Sequence, residues 1–245
     1  MASIHVFLAE CFCNKLILGE WVQVNIDSDQ CRQAPAELIF LQDFPVNQPV
    51  AVLLLAHGAG APMDSPFMGA ISQRLAASGV GVLRFEFPYM AARRADGVRR
   101  PPNPQAALLD CWRQAYRHAR QRYAGPLAIG GKSMGGRMAS LLADELGAAA
   151  LICLGYPFYA AGKPDKPRVA HLAELHTPTL IVQGERDALG NRQAVEAYPL
   201  SPAIRLHWLA TADHDLKPLQ RSGFTHEQYL QQTADSVARF LREGC

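Results

Sequence analysis

The sequence has 6 cysteines but no Cys-x-x-Cys pair, so neither a zinc ribbon nor a dithiol redox motif is written into it. Cys11-x-Cys13 comes nearest to a metal-binding pair, and no second pair stands beside it, so no metal site is expected. An apolar run long enough to span a bilayer is also missing, which argues against a membrane protein. An excess of one charge is missing too. The 24 lysines and arginines face 22 acids, a net charge of +2, and this balance gives no footprint for nucleic acid. There is no internal repeat, low-complexity tract or interdomain linker. Met1 to Leu18 lacks a basic start and is interrupted by Glu10, Cys11 and Asn14, so no secretion leader is expected. Cys111 and Cys153 fall in predicted core elements, which suits free thiols and a cytoplasmic, reducing compartment.

What is present is a chain of 245 residues, 49% apolar, the size of one α/β domain. Residues 1–20 read as a poorly defined N-terminal extension and 21–245 as a single domain. Strand-like and helix-like segments alternate. Residues 21–26 and 36–41 read as an edge hairpin. Val50 to Ala56, Val80 to Phe85, Leu127 to Gly130, Ala149 to Leu154, Thr179 to Gln183 and Ile204 to Leu209 read as strands. Helices are expected over 65–78, 105–123, 134–146, 171–175, 192–198 and 227–242. This alternation predicts a doubly wound, mainly parallel sheet. In such sheets ligands bind beyond the carboxyl ends of the strands, so the residues just after each strand are the ones to inspect.

One of those positions holds Gly131-Lys132-Ser133-Met134-Gly135, a Gly-x-Ser-x-Gly motif between a strand and a helix. A serine on such a sharp turn projects its hydroxyl from the top of the sheet, and the glycines let the turn pack closely. The acid-bearing Gly184-Glu185-Arg186-Asp187 follows a later strand, and Asp213-His214-Asp215 follows the last. Serine, acid and histidine emerge on one rim, in the chain order of the α/β-hydrolase triad. Serine is a poor nucleophile until a base takes its proton, and imidazole titrates near neutrality. Ser133 is therefore the candidate nucleophile and His214 the base. Asp187 is the preferred orienting acid because it follows the expected strand, with Asp213 and Asp215 as rivals. The oxyanion donors are expected to be the backbone N–H groups of Met134 and Ala59. His57 reads as a loop-shaping residue at the edge of the substrate site.

Two patterns point elsewhere. Gly131-Lys132-Ser133 ends like a phosphate-binding loop, but Pro126 stands where its first glycine is required. Gly58-Ala59-Gly60 lacks the third glycine of a dinucleotide fingerprint, since Met63 holds that place. No cofactor is expected. Nine arginines lie between Arg84 and Arg122. Arg93, Arg94, Arg99 and Arg100 are placed in a Pro-rich loop on the active rim, where Arg99 is a candidate for steering an anionic substrate. Lys132 is assigned no role beyond that of a surface residue of the serine turn.

Six motifs in order resemble one family: Leu-Ala-His57-Gly-Ala-Gly-Ala-Pro-Met-Asp64, Arg84-Phe-Glu-Phe-Pro-Tyr89, Gly-Gly-Lys-Ser133-Met-Gly-Gly-Arg137, Leu-Gly-Tyr156-Pro, Gln-Gly-Glu-Arg-Asp187 and Asp-His214-Asp-Leu-Lys-Pro218. These are small predicted α/β-hydrolases of bacteria, with eukaryotic relatives that include a testis-expressed protein and a subunit of a nuclear histone-acetylating complex. The chain is similar, more distantly, to dienelactone hydrolases. The resemblance spans roughly residues 50–240 and implies the α/β-hydrolase fold and the triad of Ser133, Asp187 and His214.

Gly155 to Pro178, about two dozen residues, is too short for a separate cap domain. An open site is expected, bordered by Tyr156, Phe158, Tyr159 and the arginine loop, with packing of the aromatics beneath that loop as the equal alternative. The function expected is hydrolysis of an ester, thioester or related acyl bond in a small-molecule or acyl substrate. The alternatives are a non-catalytic interaction module on the same fold, or transfer of the acyl group to an acceptor other than water.

Overall fold

The computed structural model describes residues 12–17, 20–25 and 38–244, the first two ranges as backbone only. The chain divides into two compact units, the second beginning at Leu38. In the first, β1 (Phe12–Ile17) pairs antiparallel with β2 (Glu20–Asn25), Phe12 opposite Asn25 and Ile17 opposite Glu20. The hairpin expected from 21–26 with 36–41 is thereby corrected: β2 takes β1 as its partner. Residues 26 and 36–37 lie outside the described ones, and the domain boundary expected at residue 21 falls within β2.

The second unit is built on a seven-stranded sheet in the order β11-β10-β7-β6-β4-β5-β3. Its strands are β3 (Phe40–Asp43), β4 (Val52–Ala56), β5 (Gly81–Phe85), β6 (Leu127–Lys132), β7 (Leu151–Leu154), β10 (Thr179–Gly184) and β11 (Ile204–Leu209). Every neighbouring pair is parallel except β3 with β5. The continuous apolar run of β4 has a simple cause. Val52, Leu54 and Ala56 enter one core, while Leu53 and Leu55 enter the other. A parallel strand covered on both faces has no side left for polar residues.

Helices α1 (Pro66–Ala77) and α6 (His226–Gly244) cover one face, through Met68, Ile71 and Leu75 and through Tyr229, Ala234, Val237 and Leu241. The other face packs against α3 (Gln105–Arg122) and α4 (Met134–Ser140), through Leu108, Trp112, Ala115, Met138 and Ala139. Between them, α2 (Pro88–Asp96) corrects one expectation, because Arg93 and Arg94 lie on this helix and not in a loop. Pro88 fills its first turn, where the missing N–H is not needed, and Gly97 ends it at φ 74°.

A second correction concerns α4, expected to reach residue 146. It stops at Ser140, whose hydroxyl donates to the Arg137 carbonyl, and the next bond, Leu142 N–H to Ala139, is of the tighter i−3 type. The expected helices at 171–175 and 192–198 are shorter: a 3₁₀ turn at Ala170–Ala173 and α5 (Arg192–Val195), capped by Asn191.

Among the described residues there is no separate cap domain. Between β7 and β10 the chain forms a small hairpin of β8 (Tyr159–Ala160) and β9 (Lys163–Pro167), with β9 wholly exposed, and then the 3₁₀ turn. Among the described residues no helix is long and apolar enough to cross a membrane. Cys111 and Cys153 are buried free thiols, and burial pushes the Cys111 thiol up to about 12.

Trp112 is fully buried, packed edge-on to Phe85 at 4.8 Å, and its indole N–H has no partner among the described residues. Trp112→Ala should lower unfolding free energy by about 3–5 kcal/mol. Trp112→Phe should cost less, because it also removes the orphaned donor. Urea unfolding of both variants is the check, and equal losses would contradict the packing described.

Candidate active site

Ser133 sits between β6 and α4 with φ 51° and ψ −115°, a conformation non-glycine residues avoid at a cost of roughly 1–3 kcal/mol. Its neighbours hold it there. The Ser133 N–H donates to Leu154 O at 3.0 Å, and Ser133 O accepts from the Arg137 N–H at 3.0 Å. The start of α4 lies against β4 and β6 so closely that a Cβ on Gly135 would stand 2.6 Å from the carbonyl oxygens of Ala56 and His57. A Cβ on Gly131 would stand 2.5 Å from the carbonyl carbon of Gly135. Glycine at these positions is a requirement of the close approach.

The turn brings the serine to His214, which follows β11. His214 Nε2 lies 2.9 Å from Ser133 Oγ, and Nδ1 lies 2.7 Å from Asp187 Oδ2. A carboxylate can only accept, so Nδ1 carries the proton and Nε2 is left to accept from the serine hydroxyl. The His214 side chain is 26% exposed while Asp187 is fully buried. The Asp187 carboxylate has two further donors: Gln183 Nε2 at 2.8 Å onto Oδ2 and the Leu189 N–H at 2.7 Å onto Oδ1.

The rival acids do other work. Asp213 Oδ1 accepts from the N–H groups of Asp215 and Lys217 at 2.9 and 3.0 Å and shapes the histidine loop. Asp215 faces Lys132 at 3.4 Å. Neither carboxylate is bonded to the imidazole.

The loop from His57 to Asp64 closes the other side of the serine. His57 is fully buried, donates from Nδ1 to Gly58 O at 2.7 Å and accepts at Nε2 from the Phe87 N–H at 3.1 Å. Burial holds its pKa below the ordinary histidine value, so the ring is neutral. Tyr89 donates its hydroxyl to Ala59 O at 2.9 Å, and burial together with nearby Glu86 pushes that phenol up to about 12. Arg94 bonds Asp64 at 2.9 and 2.8 Å and buried Glu86 at 3.0 and 2.7 Å. The Arg94 hydrogen bonds hold the Asp64 carboxyl below its ordinary range. Arg84 donates to Met63 O at 2.9 Å and to Asp43 at 2.7 Å. Among the described residues, neither the Ala59 nor the Met134 N–H has a hydrogen-bond partner, so both donors remain unused.

His57 takes the loop-shaping place expected of it, and its candidacy as a substrate contact, with that of Tyr156 and Phe158, is corrected. His57, Tyr156 and Phe158 are fully buried and do not border an open site. Tyr156 donates its N–H to Gln183 Oε1 at 2.7 Å and its hydroxyl to Arg168 O at 3.1 Å, while Phe158 packs edge-on against it at 4.9 Å. These aromatics are packing beneath the rim. Arg99 is exposed and, among the described residues, unpaired. Arg100 is bound by Asp96, and Arg94 is held as described above. Lys132 is buried, not a surface residue of the turn. Sequence reasoning missed Gln183 and Tyr89, and it placed Arg94 on the rim without its ion pairs to Asp64 and Glu86. A polar residue within a buried strand is the signal that could have found Gln183.

Residues 49–242 match the family described as an alpha/beta hydrolase domain. Among solved structures, a dienelactone hydrolase of Anabaena variabilis is 19% identical, with a TM-score of 0.63 over 96% of this chain and 98% of its own. An alpha-beta serine hydrolase homologue of Coxiella burnetii is 16% identical, with a TM-score of 0.60 over 84% of this chain and 90% of its own. A serine hydrolase of Xanthomonas campestris described as lacking a lid is 18% identical, with a TM-score of 0.58 over 86% of this chain and 94% of its own.

Neutral, buried His57 predicts a pH effect. Its folded pKa is lowered, so as pH falls below about 6.5 the unfolded chain binds a proton that the folded chain does not, and stability declines. His57→Gln keeps an acceptor for Phe87 without a titrating ring. Urea unfolding of both proteins from about pH 8 to 5 should show the wild type losing stability relative to His57→Gln as pH falls. Parallel curves would contradict a buried neutral ring.

Proposed function

The chain belongs to the alpha/beta hydrolase domain family, and from that premise we propose that it is a serine hydrolase cleaving an ester, thioester or related acyl bond through an acyl-enzyme on Ser133. The observation that carries this reading is the hydrogen-bond relay from Ser133 through His214 to buried Asp187, at 2.9 and 2.7 Å, assembled from three separate loops. His214 takes the serine proton as Oγ attacks the acyl carbon, and Asp187 stabilises the imidazolium that forms. The oxyanion is received by the unused N–H groups of Met134 and Ala59, each such donor contributing roughly 10²–10³ in rate. The imidazolium then protonates the leaving group, and His214 activates a water that releases the acid. No step calls on a metal or organic cofactor.

The segment after β7 builds no cap and its β9 strand is wholly exposed, and an uncapped site suits small or surface-presented acyl groups. Among the described residues Arg99 has no ion-pair partner to neutralise it, and we assign it the steering of anionic substrates. Arg99→Glu should raise KM for anionic esters and spare neutral ones of the same leaving group. Equal effects on both would remove the assignment.

The main test is labelling of the folded protein with a fluorophosphonate probe. One adduct is expected on Ser133, absent in Ser133→Ala, with Asp187→Asn slowed by roughly 10⁴. Folded wild-type protein that takes up no probe would instead be a non-catalytic module, the role implied by the resemblance to a nuclear-complex subunit.

A further inference from the structure

Lys132 directly precedes the nucleophile, yet the mechanism above gives it no task. It is only 7% exposed. Its Nζ donates to the main-chain oxygen of His214 at 2.7 Å, lies 3.4 Å from Asp215 Oδ1 and sits 5.6 Å from the centre of the Phe67 ring. Burying an ammonium is costly, and burial pulls its pKa down against the opposing charges of Asp215, Asp187 and Asp213. An apolar side chain would fill the same space without that cost. What distinguishes the lysine is therefore what its ammonium holds.

The histidine segment needs such a hold. Thr211 and Leu216, on either side of His214, have φ 55° and 60°, values that non-glycine residues avoid. The flanks are fixed by other groups: the Asp213 carboxylate holds the N–H groups of Asp215 and Lys217, and the Tyr229 hydroxyl donates to Ala210 O at 2.8 Å. The His214 carbonyl itself has one donor among the described residues, and that donor is Lys132. Gly155 leaves room for this contact, since a Cβ there would stand 2.8 Å from the carbonyl oxygen and 3.3 Å from Nζ.

Resting on the serine-hydrolase reading, we propose that Lys132 is a positioning residue. It ties the end of the strand that carries Ser133 to the peptide that carries His214, and so sets the distance between nucleophile and base. A side chain one residue from the serine is well placed for this, because any shift of the turn moves the lysine with it. Asp215 is a lesser element. Its side chain is 61% exposed, and its ion pair with the ammonium is screened by water.

The test compares Lys132→Met and Asp215→Asn with wild type in two measurements. One is the rate of fluorophosphonate labelling at Ser133. The other is the downfield proton resonance of the hydrogen bond between His214 and Asp187, identified by its loss in Asp187→Asn. Melting curves establish that each variant is folded. Lys132→Met should label roughly a hundredfold more slowly, the scale of a misplacement near 1 Å, with the downfield resonance lost or moved. Asp215→Asn should stay within about threefold of wild type, since an exposed pair contributes little. If Lys132→Met does not fold, Lys132→Gln replaces it, with a neutral side chain too short to reach the carbonyl, and is read in the same way. Wild-type labelling rate with an unmoved resonance in the lysine variant would overturn the proposal. A wild type that takes no label, but whose resonance is lost in the lysine variant and kept in Asp215→Asn, would overturn the hydrolase reading and support the positioning role.

Discussion

The rim depends on one close approach: the first turn of α4 against the main chain at the end of β4. Gly135 lies so near the carbonyls of Ala56 and His57 that no Cβ fits between them. That contact fixes the start of α4, and with it the left-handed backbone of Ser133. The strained turn is affordable because the strands beneath it are among the most deeply buried elements of the unit. Leu53, Leu54, Leu55 and Ile129 are all fully buried, each such side chain contributing about 1.5–3 kcal/mol. A core of that size tolerates a local strain of a few kcal/mol at Ser133.

Around this turn, two loops are held by polar contacts with distinct strengths. The Arg94–Asp64 pair is half exposed and contributes little by itself, about 0–1 kcal/mol. Glu86 is different, because it is buried, and removing Arg94 would leave its carboxylate without its cation. The same asymmetry governs Asp187. Its carboxylate is fully buried, and Gln183 and the Leu189 N–H satisfy it together with His214. The carboxylate is thereby fixed in place, and it orients the imidazole through the bond to Nδ1.

Much of this could be read from the chain. The apolar runs of β4, β6, β7 and β10 mark strands buried on both faces, and the residues that follow them fall on one rim, where Ser133, Asp187 and His214 meet. Boundaries set by local chemistry were harder. Helix α2 was legible in Pro88 and Gly97, but the arginines and prolines around residues 93–104 masked it. Contacts between distant segments leave no periodic trace. Nothing in the spacing places Lys132 against the His214 carbonyl, 82 residues away, or turns Tyr156 and Phe158 inward. The aromatics follow a strand, as a pocket wall would, and only the packing of the 155–178 segment shows that they lie beneath it.

The central claim is that Ser133 becomes covalently acylated. It is tested most directly by mixing the protein with an activated acyl ester, quenching in acid within a turnover and mapping the peptides by mass spectrometry. One acyl group on the peptide containing Ser133, absent from Ser133→Ala, is the predicted result. Turnover of the ester with no acyl group on that peptide, or equal turnover by Ser133→Ala, would contradict the account.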